Sequence, residues 1–390
     1  MKVCMITTSF PRWKGDGQGP FVLELCRSLV RAGVQVRVIA MHSPGSAVHE
    51  YIDGIEIFRP KYLWPEHLEM LRREGGGLPV IWRKHPWVLW QIFPFVIVQT
   101  VALLRQIQDT HLIHAHWSLS AGIGWLSKRL YRGSLPVIVT VHGSDIFQAT
   151  QHFLGAMFTR LILQRCDRVI AVSQALMDKV IALGVNPQKV VVLSNGVDVE
   201  RFKPIPPQCR QNIILYVGSL IERKGINFLL SAMPSVFAVL PNYRLLIVGE
   251  GPQYPFLKRM ASSLNINDKV EFLGSQSHDQ VRSLIQQAKL LVLPSIEEAQ
   301  GVVLLEALAC GTPVVASKVG GIPEVITPEV GLLVPCANAA ALSEAILDVL
   351  LDNERWLNMS YQARLRAENV YDWREITKKM ISIYKEVLGL

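Results

Sequence analysis

A chain of 390 residues, half of them apolar, is too long for one ordinary domain and too apolar to be disordered. A formal charge of +8 favours anionic partners: phosphates, nucleic acid or an anionic membrane surface. Six scattered cysteines form neither a zinc-knuckle spacing nor a disulfide framework, and they fit a reducing compartment.

The first predicted element is a buried strand over Lys2–Thr7. Polar Thr7–Ser9, Pro11 and Arg12 end the apolar run too early for a signal peptide. The loop Gly15-Asp16-Gly17-Gln18-Gly19-Pro20 follows, then a helix over Phe21–Ala32 closed by Gly33, and a strand over Val36–Met41. This is a βαβ opening. The segment from Arg59 to Arg105 is the least regular. It carries Trp64, Trp82, Trp87 and Trp90 among Arg72, Arg73, Arg83 and Lys84. It reads either as a helical insertion packing its own aromatics or as an interfacial patch on anionic lipid. Its apolar run from Trp87 to Leu104 is short and interrupted by Gln91, Pro94, Gln99 and Thr100, which weighs against a spanning helix. Short strands are predicted at Ile113–Ala115, Val137–Val141, Arg168–Ser173 and Val190–Leu193.

Phe202–Arg210, with Pro204, Pro206 and Pro207, is the linker candidate. After it the rhythm restarts. Strands are predicted at Ile213–Val217, Arg244–Val248, Val270–Leu273, Leu290–Leu293 and Val314–Ala316. Helices are predicted at Asn227–Phe237, Pro255–Ser262, His278–Gln287, Val302–Ala309 and Ala339–Leu351. Nearly all-apolar strands alternating with helices imply an α/β fold of two open, mostly parallel, Rossmann-like sheets. Ligands bind such sheets at the carboxyl ends of the strands. Residues Tyr371–Leu390 repeat apolar positions at helical spacing; they either end the second domain or cross back to brace the first.

Glu298 and Glu306 frame a loop and the start of a helix. Gly301 permits close backbone approach, and the helix after it, starting near Val302, presents N–H groups to phosphate. By spacing alone the two carboxylates also suit a hydrolase acid and base, or a plain surface loop. Gly218-Ser219 and Arg223-Lys224 follow another strand, where the cations suit a diphosphate or stay solvated. Gly249 follows a third. In the first half, His114-Ala115-His116-Trp117 and His142-Gly143-Ser144-Asp145 each follow a strand. No metal-ligand spacing appears, so hydrogen bonding to a sugar or acceptor is expected there and a metal is not. The Gly15–Gly19 loop lacks both Gly-x-Gly-x-x-Gly and the Walker Lys-Ser/Thr pair, which argues against a dehydrogenase and a P-loop ATPase.

The run from Glu298 through Ala-Gln-Gly-Val-Val-Leu-Leu to Glu306, continuing to Ser317, resembles the two-glutamate motif of the retaining glycosyltransferases of family 4. Gly320-Gly321-Ile-Pro-Glu324, Gly331–Pro335, Val217–Gly225, Val248–Pro252 and Ser194–Asp198 fit the same pattern in the same order. The resemblance implies a GT-B architecture. Residues 1–205 would form an acceptor domain with the insertion at 59–105. Residues 206–370 would form a nucleotide-sugar domain, with 371–390 as a C-terminal helix. It implies transfer from a nucleoside diphosphate sugar without a cofactor or metal. Glu306 would hold the donor ribose and Glu298 would face the sugar. Lys224 would bind the diphosphate, with Arg223 adding charge because Ser219 stands where members often carry Arg. Gln300, Gly301 and Val302 would line the sugar and phosphate site, with Gly218 and Gly249 beneath. His142 would sit beside the transferred sugar, and Gly17 and Gly19 near phosphate and acceptor. His116, Trp117 and Asp145 are assigned to the acceptor side.

The expected partners are a nucleotide sugar, a carbohydrate or lipid-linked acceptor and an anionic membrane surface. Nucleic acid is not among them, because the basic residues are dispersed and no reading module is present. The expected location is the cytoplasm, peripheral on the cytoplasmic face of the membrane. The rival readings are a sugar phosphorylase or nucleotide-sugar hydrolase on the same architecture, and a non-enzymatic nucleotide-sugar-binding scaffold.

Overall fold

The computed structural model describes residues 1–71, 86–131, 135–150 and 152–390. Trp82, Arg72, Arg73, Arg83 and Lys84 of the aromatic and basic segment therefore lie outside the described residues. The chain divides into two compact units. The first is Met1–Ser194 with Ile376–Leu390, and the second is Asn195–Glu375.

The first unit opens with β1 (Lys2–Thr7), α1 (Pro20–Arg31) and β2 (Gln35–Ala40). The hairpin β3 (His49–Ile52) and β4 (Ile55–Phe58) follows. Next come α2 (Ile92–Gln106), β5 (Leu112–His116), α3 (Ser118–Tyr131), β6 (Val137–Val141), α4 (Ser144–Ala149) and α5 (Phe153–Arg165). The series closes with β7 (Arg168–Ala171), α6 (Gln174–Ala182) and β8 (Val190–Val192). The strands form one sheet in the order β3-β4-β2-β1-β5-β6-β7-β8. Every pair is parallel except β3 with β4. Val3, Cys4 and Met5 of β1 are fully buried, as a central strand covered on both faces requires. The β3–β4 hairpin was not predicted. Its alternating Glu50, Tyr51 and Glu56 hide an edge pair in which only Ile55 and Ile57 are fully buried. The available signal was Asp53-Gly54, both in positive φ, a two-residue hairpin turn.

Right-handed crossovers put α2, α3, α5 and α6 on one face of this sheet and α1 on the other. On that first face α3 packs against both α2 and α5. On the face of α1, Thr377 Oγ1 donates to Ser28 Oγ at 2.7 Å. Thr377 belongs to the last helix, α14 (Trp373–Leu388), most of which completes the first unit. Tyr384, fully buried, is hydrogen-bonded to His114 of β5.

The second unit holds β9 (Gln211–Val217), α7 (Ile226–Val239), β10 (Arg244–Val248), α8 (Tyr254–Ser263), β11 (Val270–Gly274) and α9 (His278–Gln287). It continues with β12 (Ala288–Leu293), α10 (Val302–Ala309), β13 (Val314–Ser317), α11 (Ile322–Val325), β14 (Gly331–Val334), α12 (Ala339–Leu351) and α13 (Asn353–Arg366). Its sheet is wholly parallel in the order β11-β10-β9-β12-β13-β14.

The domain boundary corrects the prediction. The proline-rich stretch lies inside the second unit, and the break falls at Ser194/Asn195 instead of 205/206. Phe202 is buried in the second core. Arg210 is buried too: its guanidinium donates to the carbonyls of Ala288, Cys310 and Gly311 and to Thr312 Oγ1, and lies 5.4 Å from the Trp356 ring. Prolines here fix the backbone, Pro207 at the start of a short 3-10 turn, without making a free linker. Likewise the change of unit near the C-terminus falls inside α14, at Glu375/Ile376, and not at its start.

Candidate active site

In the second unit, strand order reverses between β9 and β12: β10 and β11 lie to one side, β13 and β14 to the other. A parallel sheet opens a crevice at the carboxyl ends of the strands at such a switch point. The two loops leaving β9 and β12 there hold the predicted charges. Lys224 ends a short 3-10 turn, Glu222–Lys224, and its Nζ pairs with Glu298 Oε2. Both side chains are mostly buried, so the pair is only weakly screened by water. The backbone binds the loops as well, since the carbonyl of Arg223 accepts the N–H of Ile296 at 2.8 Å. Arg223 itself is half-buried, and among the described residues its guanidinium has no ion-pair partner.

Gly320 holds the Glu298 loop from the β13 side. Its φ is +50°, and a Cβ at this position would lie 1.8 Å from the Glu298 carbonyl oxygen. Only glycine allows the two backbones this approach. Gly301 precedes α10 in the left-handed region, and Val302 begins that helix. The first turn of a helix leaves N–H groups without intrahelical acceptors, a natural seat for phosphate oxygens. Gly218 and Gly249 follow β9 and β10, where the Gly218 N–H donates to the Val248 carbonyl. Ser219 is exposed, and its carbonyl accepts the Tyr216 hydroxyl at 3.2 Å.

Glu306 lies in the second turn of α10, and its Oε1 is 2.7 Å from Nε2 of His278. His278 begins α9 behind a capping box made by Ser277 and Gln280, and its ring packs on Phe202. Sequence reasoning missed His278. The Ser277-x-x-Gln280 spacing marked a helix start there, but only the fold brings it to Glu306. Gln300 is placed otherwise than expected. It is buried, and its Oε1 accepts from the backbone N–H and the side-chain Nδ2 of Asn195, at 3.1 and 2.8 Å. Its side-chain oxygen ties the loop to Asn195.

In the first unit, β5 and β6 bring a chain of imidazoles together. His116 Nδ1 and His142 Nε2 are 3.0 Å apart, with the rings stacked at 13°. His114 uses both nitrogens, on Tyr384 and on Thr140. Burial holds all three well below the ordinary imidazole value, His116 at about 3. Neutral rings need one donor and one acceptor in the His116–His142 contact, so each fixes the tautomer of the other. Trp117 and Phe21 pack on His142, with ring centroids 4.7 and 4.8 Å away. Asp145 accepts from the Ser118 N–H at 3.1 Å, and burial raises its carboxyl to about 6. Asp145 thus secures the start of α3, one step back from His142. Gly19 packs on Ser9, where a Cβ would meet the Ser9 carbonyl oxygen at 2.4 Å, whereas Gly17 is exposed with open space around it. Within the Gly15–Gly19 loop, Asp16 is paired with Arg12. Among the described residues no three His, Cys, Asp or Glu side chains group as metal ligands.

Comparison with known proteins bears on the family and the fold. A family profile described as "Glycosyl transferases group 1" matches residues 199–366, and one described as "Glycosyltransferase Family 4" matches residues 15–201. An uncharacterized glycosyltransferase of Methanocaldococcus jannaschii is 29% identical over the full length of both chains. Sucrose-phosphate synthase from Thermosynechococcus elongatus superposes with a TM-score of 0.82 at 25% identity, covering 100% of this chain and 99% of that one. The Anabaena protein HepE, solved in complex with UDP-glucose, superposes with a TM-score of 0.74 at 18% identity, covering 99% of this chain and 100% of that one. The architecture is therefore the GT-B fold.

Proposed function

Because this chain belongs to the family 4, group 1 glycosyltransferases, enzymes that take a sugar from a nucleotide-sugar donor, we propose that its donor is a UDP-sugar and its acceptor a carbohydrate or lipid-linked hydroxyl in cell-surface polysaccharide or glycolipid synthesis. The observation that carries the reading is the Lys224–Glu298 pair at the switch point, with Glu306 held by His278 in the same unit. HepE, which shares the fold, was solved with UDP-glucose, and this supports the choice of nucleotide.

The mechanism follows from charge. As the bond between the anomeric carbon and the leaving oxygen stretches, negative charge grows on the β-phosphate. Lys224, Arg223 and the first N–H groups of α10 stabilise it where it develops. The acceptor hydroxyl attacks from the face the nucleoside diphosphate leaves and passes its proton to the departing phosphate oxygen, so the new glycosidic bond forms with anomeric configuration retained. Glu306 accepts hydrogen bonds from the ribose hydroxyls. Glu298 orients Lys224 and accepts from the donor sugar. No side chain is assigned as a nucleophile. In the first unit, His142 offers the one imidazole edge of the cluster that is not fully buried, and we assign it to a sugar hydroxyl. The enzyme works peripherally at the cytoplasmic face of an anionic membrane.

A panel of nucleotide sugars, read by release of nucleoside diphosphate with and without simple acceptors, tests this. UDP-sugars should support acceptor-dependent release, and Lys224→Ala should abolish most of it. Exclusive use of another nucleotide, or release that no acceptor stimulates, sinks the proposal; the latter would mark a hydrolase.

A further inference from the structure

The outer side of the helical layer α2–α3–α5 in the first unit joins exposed apolar side chains to a one-signed charge. The chain has 32 acidic residues, and none falls in these three helices. Their exposed charges are cations: Arg105 on α2, Arg129 on α3, and Arg160 and Arg165 on α5. Lys128 is paired with Asp167 just beyond α5, and Arg165 lies 4.8 Å over the Trp125 ring of α3.

The apolar residues form stripes. On α5, Phe153, Leu154, Met157, Phe158 and Leu161 are exposed, Phe153 by 81%, while Thr159, Ile162 and Leu163 are buried on the other side. That spacing draws one continuous helical face. On α2 and the turn before it, Trp90, Phe93, Ile97 and Val101 are exposed at intervals of three and four residues, with Phe95, Gln99 and Leu103 buried opposite. The stretch Trp87–Gln106 is long and apolar enough to cross a membrane by length and composition, but a third of it is buried. Gln99 also donates to the Ala40 carbonyl at 3.1 Å, which ties α2 to the sheet. The helix therefore offers one side only, as a segment lying in a bilayer interface does.

We propose that this layer, centred on Phe153, Leu154, Met157 and Phe158 of α5 with Trp90 and Phe93 of α2, seats the protein on an anionic bilayer. The inference deepens the peripheral membrane part of the proposed function and rests on it. It assigns docking to α5, which the sequence did not single out, as well as to the aromatic segment before β5. A protein partner would suit the apolar stripes equally. The absence of carboxylates from all three helices, with cations flanking the stripes, favours negatively charged headgroups. The bulkiest exposed residues cluster at the N-terminal ends of α2 and α5. Those ends lie at the strand carboxyl edge that carries His116, Trp117 and His142. Docking there would bring a lipid-borne acceptor to the edge where these residues stand.

Flotation of the full chain with phosphatidylcholine vesicles, with and without phosphatidylglycerol, tests the assignment. Recovery with the anionic vesicles is expected, decreasing with salt. The double variant Phe153→Asp/Phe158→Asp should lower vesicle partitioning by about 10-fold or more. Its donor turnover with a soluble acceptor should be unchanged, which shows that it folds and keeps the donor reading separate. Leu351→Asp/Tyr361→Asp, on exposed apolar positions of the second unit, should float like the parent. In the unaltered chain, brominated acyl chains should quench tryptophan fluorescence, less so in Trp90→Phe. Flotation of the α5 variant at the parental level, or no parental binding to either vesicle, overturns the proposal. So does a concentration-dependent dimer that the α5 substitutions abolish, since a second copy would then own this face.

Discussion

Gly320→Ala is the sharpest test of how the donor loops are held. Two effects add. The left-handed backbone at φ +50° costs any L-residue about 1–2 kcal/mol. The new methyl would then stand 1.8 Å from the Glu298 carbonyl oxygen, where real contacts stay beyond 3.0 Å. One backbone must retreat by about an ångström, and the Gly321 N–H to Glu298 carbonyl bond, 3.3 Å long, is lost. A shift of that size in a positioning loop is worth roughly 100-fold in turnover. Gly274→Ala is the control. It lies in the same unit with φ +65°, and its added methyl meets nothing nearer than a Glu250 side-chain oxygen at 3.8 Å. Both variants go through calorimetry and a nucleoside diphosphate release assay. Gly274→Ala should lose only the backbone cost, about 2–4 °C per kcal/mol for a unit of this size, with normal turnover. Gly320→Ala should lose at least that, and kcat should fall by about two orders of magnitude. Parental turnover with a stability loss no larger than the control's would refute the argument that the missing Cβ positions Glu298.

His278→Ala removes a hydrogen bond to the mostly buried Glu306 carboxylate, worth about 1.5–3 kcal/mol; the donor KM should rise by about 10- to 100-fold with kcat little changed, and an unchanged KM would remove Glu306 from ribose binding. Tyr384→Phe strips His114 of a buried partner at 2.7 Å and should destabilise the first unit by about 1–3 kcal/mol in calorimetry; an unchanged melting point would argue against a bracing role for α14. The buried groups also set opposite pH slopes. His116, held at about 3 by burial, is neutral when folded but titrates near 6.5 when unfolded, so its contribution is full above pH 6.5 and drains away as pH falls toward 3. Asp145, raised to about 6 by burial, favours the folded state at low pH and loses that advantage between about 3.8 and 6. In denaturant titrations across pH 4–6, His116→Gln should flatten the rise of stability with pH and Asp145→Asn should steepen it; changes of the same sign would refute the assignment of burial.

The alternation of apolar strands and helices, and the order of the glycine, lysine and glutamate motifs, were legible from local periodicity and turn chemistry. That sufficed for the α/β class and for placing the loops that follow the strands, because buried parallel strands write themselves as apolar runs; the donor roles of Glu298, Glu306 and Lys224 came from the resemblance to the family 4 motifs. The edge hairpin at His49–Phe58 was not legible, since half-exposed charged strands carry little periodic signal. Composition misplaced the domain boundary: prolines near Phe202 look like a linker, and only the buried partners of Arg210 show that they are packed. Three things needed tertiary structure. Long-range pairing decides which side chain each carboxylate meets, Glu298 with Lys224 and Glu306 with His278. It turned Gln300 inward onto Asn195. It also decided which apolar helix faces stay uncovered: the packing of α3 between α2 and α5 leaves their outer sides bare.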